Sequence, residues 1–124
     1  MIIGTGIDIT EIARIEKLLE KGGFTERFFT EKENGYFAKR KFAPQTVAGV
    51  YAAKEAFSKA LGTGVRGFNL KDVEVLYTEF GKPYIVLSGE AKKIAERCAI
   101  KKLFVSISHS DLYAVSSVIA EGDD

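Results

Sequence analysis

The chain has 124 residues, enough for one hydrophobic core and too few for two. Hydrophobic residues make up 46% and charged residues 28%, a globular mix that excludes an intrinsically disordered chain. Eighteen Lys and Arg against seventeen Asp and Glu leave a net charge of +1, which argues against nucleic acid held by bulk charge. Residues 1–9 are apolar and β-branched, broken by Gly4 and Gly6, and read as a first strand. From Thr10 the period turns helical through Ile12, Ile15 and Leu19, and Gly22-Gly23 ends that helix. Thr30 and Glu33 have the spacing of a capping box and predict a second helix, with a body at 34–41 that stops before Pro44. A long Ala-rich helix is expected over 46–61, stopped by Gly62-Thr63-Gly64.

The second half changes character. Residues 73–78 and 84–87 read as a hairpin joined through Gly81-Lys82-Pro83. Ser88 can cap a helix over 88–99. Residues 103–108 and 112–120 predict a second hairpin turning near His109-Ser110-Asp111, and 121–124 a frayed polar tail. The expected fold is α+β, a single domain over residues 1–124, with a largely antiparallel sheet packed against helices.

Few residues carry chemistry. Asp8 ends the first strand and is either a helix cap, with Glu11 completing a D-x-x-E box, or a ligand for a hard metal. Glu55 and Lys59 stand at i and i+4 on the long helix, either an exposed ion pair or a carboxylate and a cation for phosphoryl transfer. Ala52, Ala53, Ala56 and Ala60 around them leave a surface suited to close backbone packing or to a ligand. His109 is the only histidine and lacks a G-x-S-x-G elbow to serve a hydrolase. Cys98, the only cysteine, excludes an internal disulfide and fits a reducing compartment. No apolar run approaches the roughly 18–20 residues that span a bilayer, and the start lacks a signal peptide's basic region. A cytoplasmic protein with no membrane partner is expected.

The motifs Gly6-Ile7-Asp8-Ile9-x-Glu11-Ile12-x-Arg14-Ile15, Phe29-Thr30-x-x-Glu33, Ala52-Ala53-Lys54-Glu55-Ala56, Lys59-Ala60-Leu61-Gly62-Thr63-Gly64, Gly81-Lys82-Pro83 and Ser106-Ile107-Ser108-His109-Ser110 occur in that order. Together they resemble the holo-acyl-carrier-protein synthases, the small bacterial 4′-phosphopantetheinyl transferases. The resemblance implies transfer of 4′-phosphopantetheine from coenzyme A to a serine of apo acyl carrier protein, releasing adenosine 3′,5′-bisphosphate, in fatty acid biosynthesis. It also implies dependence on Mg²⁺ and a homotrimer with active sites between subunits. Asp8 and Glu55 match the family's magnesium ligands, and Lys59 its lysine at the reacting phosphate. The proton acceptor is Glu55 or a metal-bound water. His109, Lys82, Pro83, Gly62, Gly64 and Arg40 are the expected coenzyme A contacts. Arg14, Lys17 and Lys21 form a basic stripe on the first helix, expected to meet the acidic carrier.

Two positions depart from the family. Val50 stands where a basic residue is common, leaving Arg40 or Lys41 to meet that phosphate, and Lys21 stands where an arginine is frequent. The rival readings are another metal-dependent phosphoryl-transfer or phosphodiester-cleaving enzyme, and a coenzyme A or carrier-protein binding module without catalysis.

Overall fold

The structure is a computed structural model that describes residues 1–62 and 67–124. Strand β1 (Ile2–Glu11) alternates strictly, so Gly4, Gly6, Asp8 and Thr10 face inward while Ile3, Ile7 and Ile9 face out. It runs without a turn into α1 (Ile12–Lys21), followed by α2 (Phe24–Phe28), α3 (Glu31–Lys39) and α4 (Pro44–Ala60). A 3₁₀ turn (Leu70–Asp72) leads into the hairpin β2 (Val73–Tyr77) and β3 (Pro83–Leu87). Helix α5 (Gly89–Arg97) and the hairpin β4 (Lys102–His109) and β5 (Tyr113–Glu121) complete the chain. All strand pairs are antiparallel, in a three-stranded sheet of order β1-β5-β4 and a separate β2-β3 pair. The expected α+β architecture holds, with the strands divided between two sheets.

Helix α4 is the centre of the fold. Pro44 opens it, two residues ahead of the expected start, in the first turn where a missing N–H costs nothing, and α3 ends before Pro44 as expected. Val47, Ala53 and Phe57 are fully buried, in two clusters that also take in Phe29, Phe37, Ile15, Val73 and Val118. Against β1 the contact is backbone on backbone. A β-carbon added at Gly6 would overlap the Ala56 carbonyl oxygen and the Ala60 amide, and one at Gly4 the Ala60 carbonyl oxygen. The glycines that look like breaks in the strand are therefore what admits the helix, and the alanine stripe is its other half.

Several expectations change. Strand β1 extends to Glu11 because β5 continues to pair with it through Thr10 opposite Ala114 and Glu11 opposite Tyr113. Helix α1 thus starts at Ile12, its N-cap Glu11 makes no side-chain bond, and Asp8 is no cap. The five-residue α2 is unanticipated. Ser88 precedes α5 without a side-chain capping bond, and that helix ends at Arg97. His109 closes β4 rather than sitting in the turn. The tail is tied down: the Met1 ammonium donates to the Gly122 carbonyl at 3.1 Å and to the Asp124 carboxylate at 2.6 Å. The Thr30–Glu33 capping box forms as expected, with both reciprocal bonds present.

Candidate functional site

Because β1 and α4 touch through glycine and alanine, the side chains flanking that contact are forced together. Asp8 from β1 meets Lys59 from α4, whose ammonium donates to Asp8 Oδ1 at 3.1 Å. The Thr10 hydroxyl, two residues on along the same inward face, donates to Asp8 Oδ2 at 2.8 Å. Lys59 thus crosses to the strand, and of the two readings of Glu55 and Lys59 the simple ion pair along the helix is not the one formed. The Asp8 side chain is only 14% exposed, that of Lys59 52%, so the carboxylate sits at the base of the site and the ammonium at its mouth.

Glu55 is half-buried on the same helix. Burial is the main cause holding its carboxyl above the ordinary range, and the nearby Asp8 charge adds to it. The Tyr51 hydroxyl, Lys59 and Arg14 pull the other way. Two carboxylates from separate elements are therefore close enough for one to raise the other, and the Lys59 ammonium lies on Asp8. Tyr51 lies between Glu55 and Arg14, whose guanidinium stands 5.8 Å from the ring centre. Burial, followed by the Glu55 charge, raises the Tyr51 hydroxyl.

The remaining expected positions among the described residues are spread over other parts of the fold, with Arg14 reaching Tyr51 beside Glu55. Arg40 caps α3 with its guanidinium 4.8 Å over the Tyr36 ring. Lys82 lies in the β2–β3 turn and Pro83 opens β3, while His109 lies at the end of β4, two strands from β1. Gly62 follows α4 in a left-handed conformation (φ 78°), and Gly64 lies outside the described residues. Arg14, Lys17 and Lys21 are all exposed on α1.

Sequence reasoning missed Thr10, Tyr51, Glu33 and Lys54. The spacing of Thr10 from Asp8 along a strand, and of Tyr51 from Glu55 along a helix, could have found the first two. Lys54 turns away from the site and is fully buried with Glu33, a pair no periodicity reveals.

The family described as ACPS, 4′-phosphopantetheinyl transferase superfamily, matches residues 4–116. A holo-[acyl-carrier-protein] synthase of Caldanaerobacter subterraneus subsp. tengcongensis is 49% identical over 125 aligned positions, covering all of this chain and 98% of its own. A holo-(acyl-carrier-protein) synthase from Bacillus anthracis, solved in complex with CoA (3′,5′-ADP), superposes with a TM-score of 0.81 at 41% identity over 99% of each chain. The Helicobacter pylori holo-[acyl-carrier-protein] synthase in complex with coenzyme A gives a TM-score of 0.84 at 34% identity, over 94% of this chain and 99% of that one.

Proposed function

Since the chain belongs to the 4′-phosphopantetheinyl transferase superfamily, we propose that it transfers 4′-phosphopantetheine from coenzyme A to a serine of apo acyl carrier protein, in the service of fatty acid biosynthesis. The observation that carries this reading is the convergence of Asp8, Glu55 and Lys59 from two elements on one solvent-facing point. In the reaction the serine oxygen attacks the phosphorus that bears pantetheine. The bond from that phosphorus to the bridging oxygen breaks, and adenosine 3′,5′-bisphosphate leaves.

The donor set fits magnesium. Mg²⁺ takes one or two carboxylates and keeps its other positions for waters and substrate phosphates. Among the described residues no three His, Cys, Asp or Glu side chains cluster as a full protein cage would need. Asp8 and Glu55 would hold the ion, and their mutual repulsion is the kind a divalent cation relieves. When bound, it neutralises charge on the coenzyme A diphosphate.

The chain's own side chains do the rest. Lys59 presents its ammonium at the mouth of the site, where it can meet phosphate oxygens and give a proton to the departing bisphosphate. Glu55, half-buried on α4, is the chain's carboxylate set to take the serine proton. Thr10 holds the Asp8 carboxylate in place. Arg14, Lys17 and Lys21 form the docking stripe for the acidic carrier, beginning at the end of α1 nearest Asp8.

The same reading places coenzyme A between subunits of a cytoplasmic homotrimer. The outer face of the three-stranded sheet supports an assembled state: Ile7 and Ile9 are each 63% exposed and share that face with Ile3, Phe104 and Ile119. His109, Arg40 and the turn bearing Lys82 would then meet the nucleotide from a neighbouring copy, with Gly62 beside the phosphates. A single assay tests the function. Incubation with apo carrier, coenzyme A and Mg²⁺ should raise the carrier's mass by one phosphopantetheinyl group. Breakdown of coenzyme A with no such gain would identify a different phosphoryl-transfer activity.

A further inference from the structure

Lys54 and Glu55 are neighbours on α4 that point in different directions. The Lys54 ammonium is fully buried and its three hydrogens are all used: by Glu33 Oε1 at 2.8 Å, the Leu70 carbonyl at 2.9 Å and the Val73 carbonyl at 2.7 Å. Glu33 is as well satisfied. Its Oε1 also accepts from the Thr30 amide at 2.8 Å, and its Oε2 from the Val75 amide at 2.8 Å. One lysine thereby ties α4 to α3, to the 3₁₀ turn and to β2.

The other flank of α4 needs such a tie. Ala56 and Ala60 rest on Gly6 and Gly4, which fixes the distance of the helix from β1, while the side-chain tie across that contact, Lys59 on Asp8, is half-exposed and weak by comparison. The charges of Asp8 on β1 and Glu55 on α4 repel each other across this contact. A methionine or leucine at 54 would fill the space without the cost of burying an amine, so what the buried pair adds is directional.

We propose that Glu33 and Lys54 are positioning residues for Glu55: their buried ion pair sets the rotation of α4 about its own axis and so keeps the Glu55 carboxylate turned toward Asp8. The proposal rests on Asp8 and Glu55 being the cation-holding pair. It assigns the T-x-x-E motif a task beyond capping α3, because the capping glutamate is also the anchor of the helix that carries Glu55.

Two variants test it. The double variant Lys54→Met with Glu33→Leu removes both charges together, so neither is left unpaired, though the Thr30 and Val75 amides and the Leu70 and Val73 carbonyls lose these partners. Glu33→Asp keeps the charge and every type of partner but draws the anchor back by one methylene. Circular dichroism and thermal melts establish folding at the assay temperature, and calorimetric titration with Mg²⁺ alone reads the site without turnover. The folded double variant should bind Mg²⁺ about tenfold more weakly or worse, and Glu33→Asp should lose affinity in the same direction. Turnover should fall in parallel, while the Michaelis constant for apo carrier, which docks on α1, stays unchanged. Wild-type Mg²⁺ affinity in either folded variant overturns the proposal, and Glu33→Asp decides if the double variant does not fold. Failure of the wild-type protein itself to take up Mg²⁺ would overturn the metal site instead.

Discussion

The ammonium of Lys59 lies 3.1 Å from the carboxylate of Asp8, fifty-one residues away in sequence, and not on Glu55 one helical turn before it. This choice leaves Glu55, among the described residues, without an ion pair of its own and makes the two carboxylates unequal. Asp8 is supported from both sides by Lys59 and Thr10, whereas Glu55 is ionised against burial and against Asp8.

That inequality has a sign that melting curves can read. The folded-state pKa of Glu55 lies above its unfolded value, so the folded chain binds that proton more tightly. Ionisation therefore costs stability as pH rises through the raised value. Glu55→Gln should raise the Tm of metal-free protein at neutral pH, and the gain should vanish once pH falls below the ordinary carboxylate range. Asp8→Asn should lower the Tm, because Lys59 and Thr10 lose their anion. Both variants should lose turnover by at least about a hundredfold, since charge stabilisation worth several kcal/mol goes with the site. A folded Asp8→Asn protein with full activity would remove Asp8 from the chemistry.

Glycine substitutions separate close approach from chance. Gly6→Ala drives a methyl group into the Ala56 carbonyl, and overpacking of this kind costs about 1–3 kcal/mol. At Gly35, in the middle of α3, a methyl group would meet nothing within 4 Å, so Gly35→Ala should instead stabilise by about 0.5–1 kcal/mol. Urea unfolding of the two variants checks both signs.

On α1 the three basic residues should not behave alike. Lys17→Glu with Lys21→Glu should raise the Michaelis constant for apo carrier and leave coenzyme A untouched. The wild-type preference for carrier should weaken as salt rises, because exposed charges are screened beyond about 8 Å at physiological ionic strength. Arg14→Glu should add a fall in kcat, since its charge is felt at Tyr51 and Glu55. Equal loss toward both substrates from the Lys17 and Lys21 changes would place the stripe in folding or assembly.

The outward isoleucines of β1 provide the test of assembly. Ile7→Glu with Ile9→Glu should disperse the protein to monomers in sedimentation velocity and abolish turnover while the far-ultraviolet spectrum is kept. Mixing an Asp8→Asn protein with a His109→Ala protein should restore part of the activity through hybrid sites. No rescue after demonstrated subunit exchange would mean that each site is built within one chain.

What could be read from the sequence follows the range of the interactions involved. The long helix and both hairpins announce themselves through local periodicity and turn residues, and the Thr30–Glu33 box forms as its spacing suggests. Helix α2 escapes because five residues between Gly23 and Phe29 hold too little period to see. The end of β1 escapes because no turn separates strand from helix, and its last pairs depend on β5, about a hundred residues later. Asp8, Glu55 and Lys59 were legible as residue types, but their convergence depends on Gly6 meeting Ala56. Lys54 was hidden for a plainer reason. In a helix, a buried lysine and an exposed one look the same until its distant partner, twenty-one residues away in Glu33, is in place.

The ring of Tyr51, set between Arg14 and Glu55, also makes the site self-reporting. The chain contains five tyrosines and no tryptophan, so its intrinsic emission is tyrosine's alone. Among the described residues Tyr36 and Tyr77 are stacked on each other with ring centres 4.3 Å apart, away from the Asp8 carboxylate. A carboxylate that accepts from a phenol quenches it, and a guanidinium drawn off its face changes its surroundings. On the proposed reading, arrival of a cation at Glu55 or of an acidic partner at Arg14 would have an optical signature in the unlabelled protein, and Tyr51→Phe should erase it.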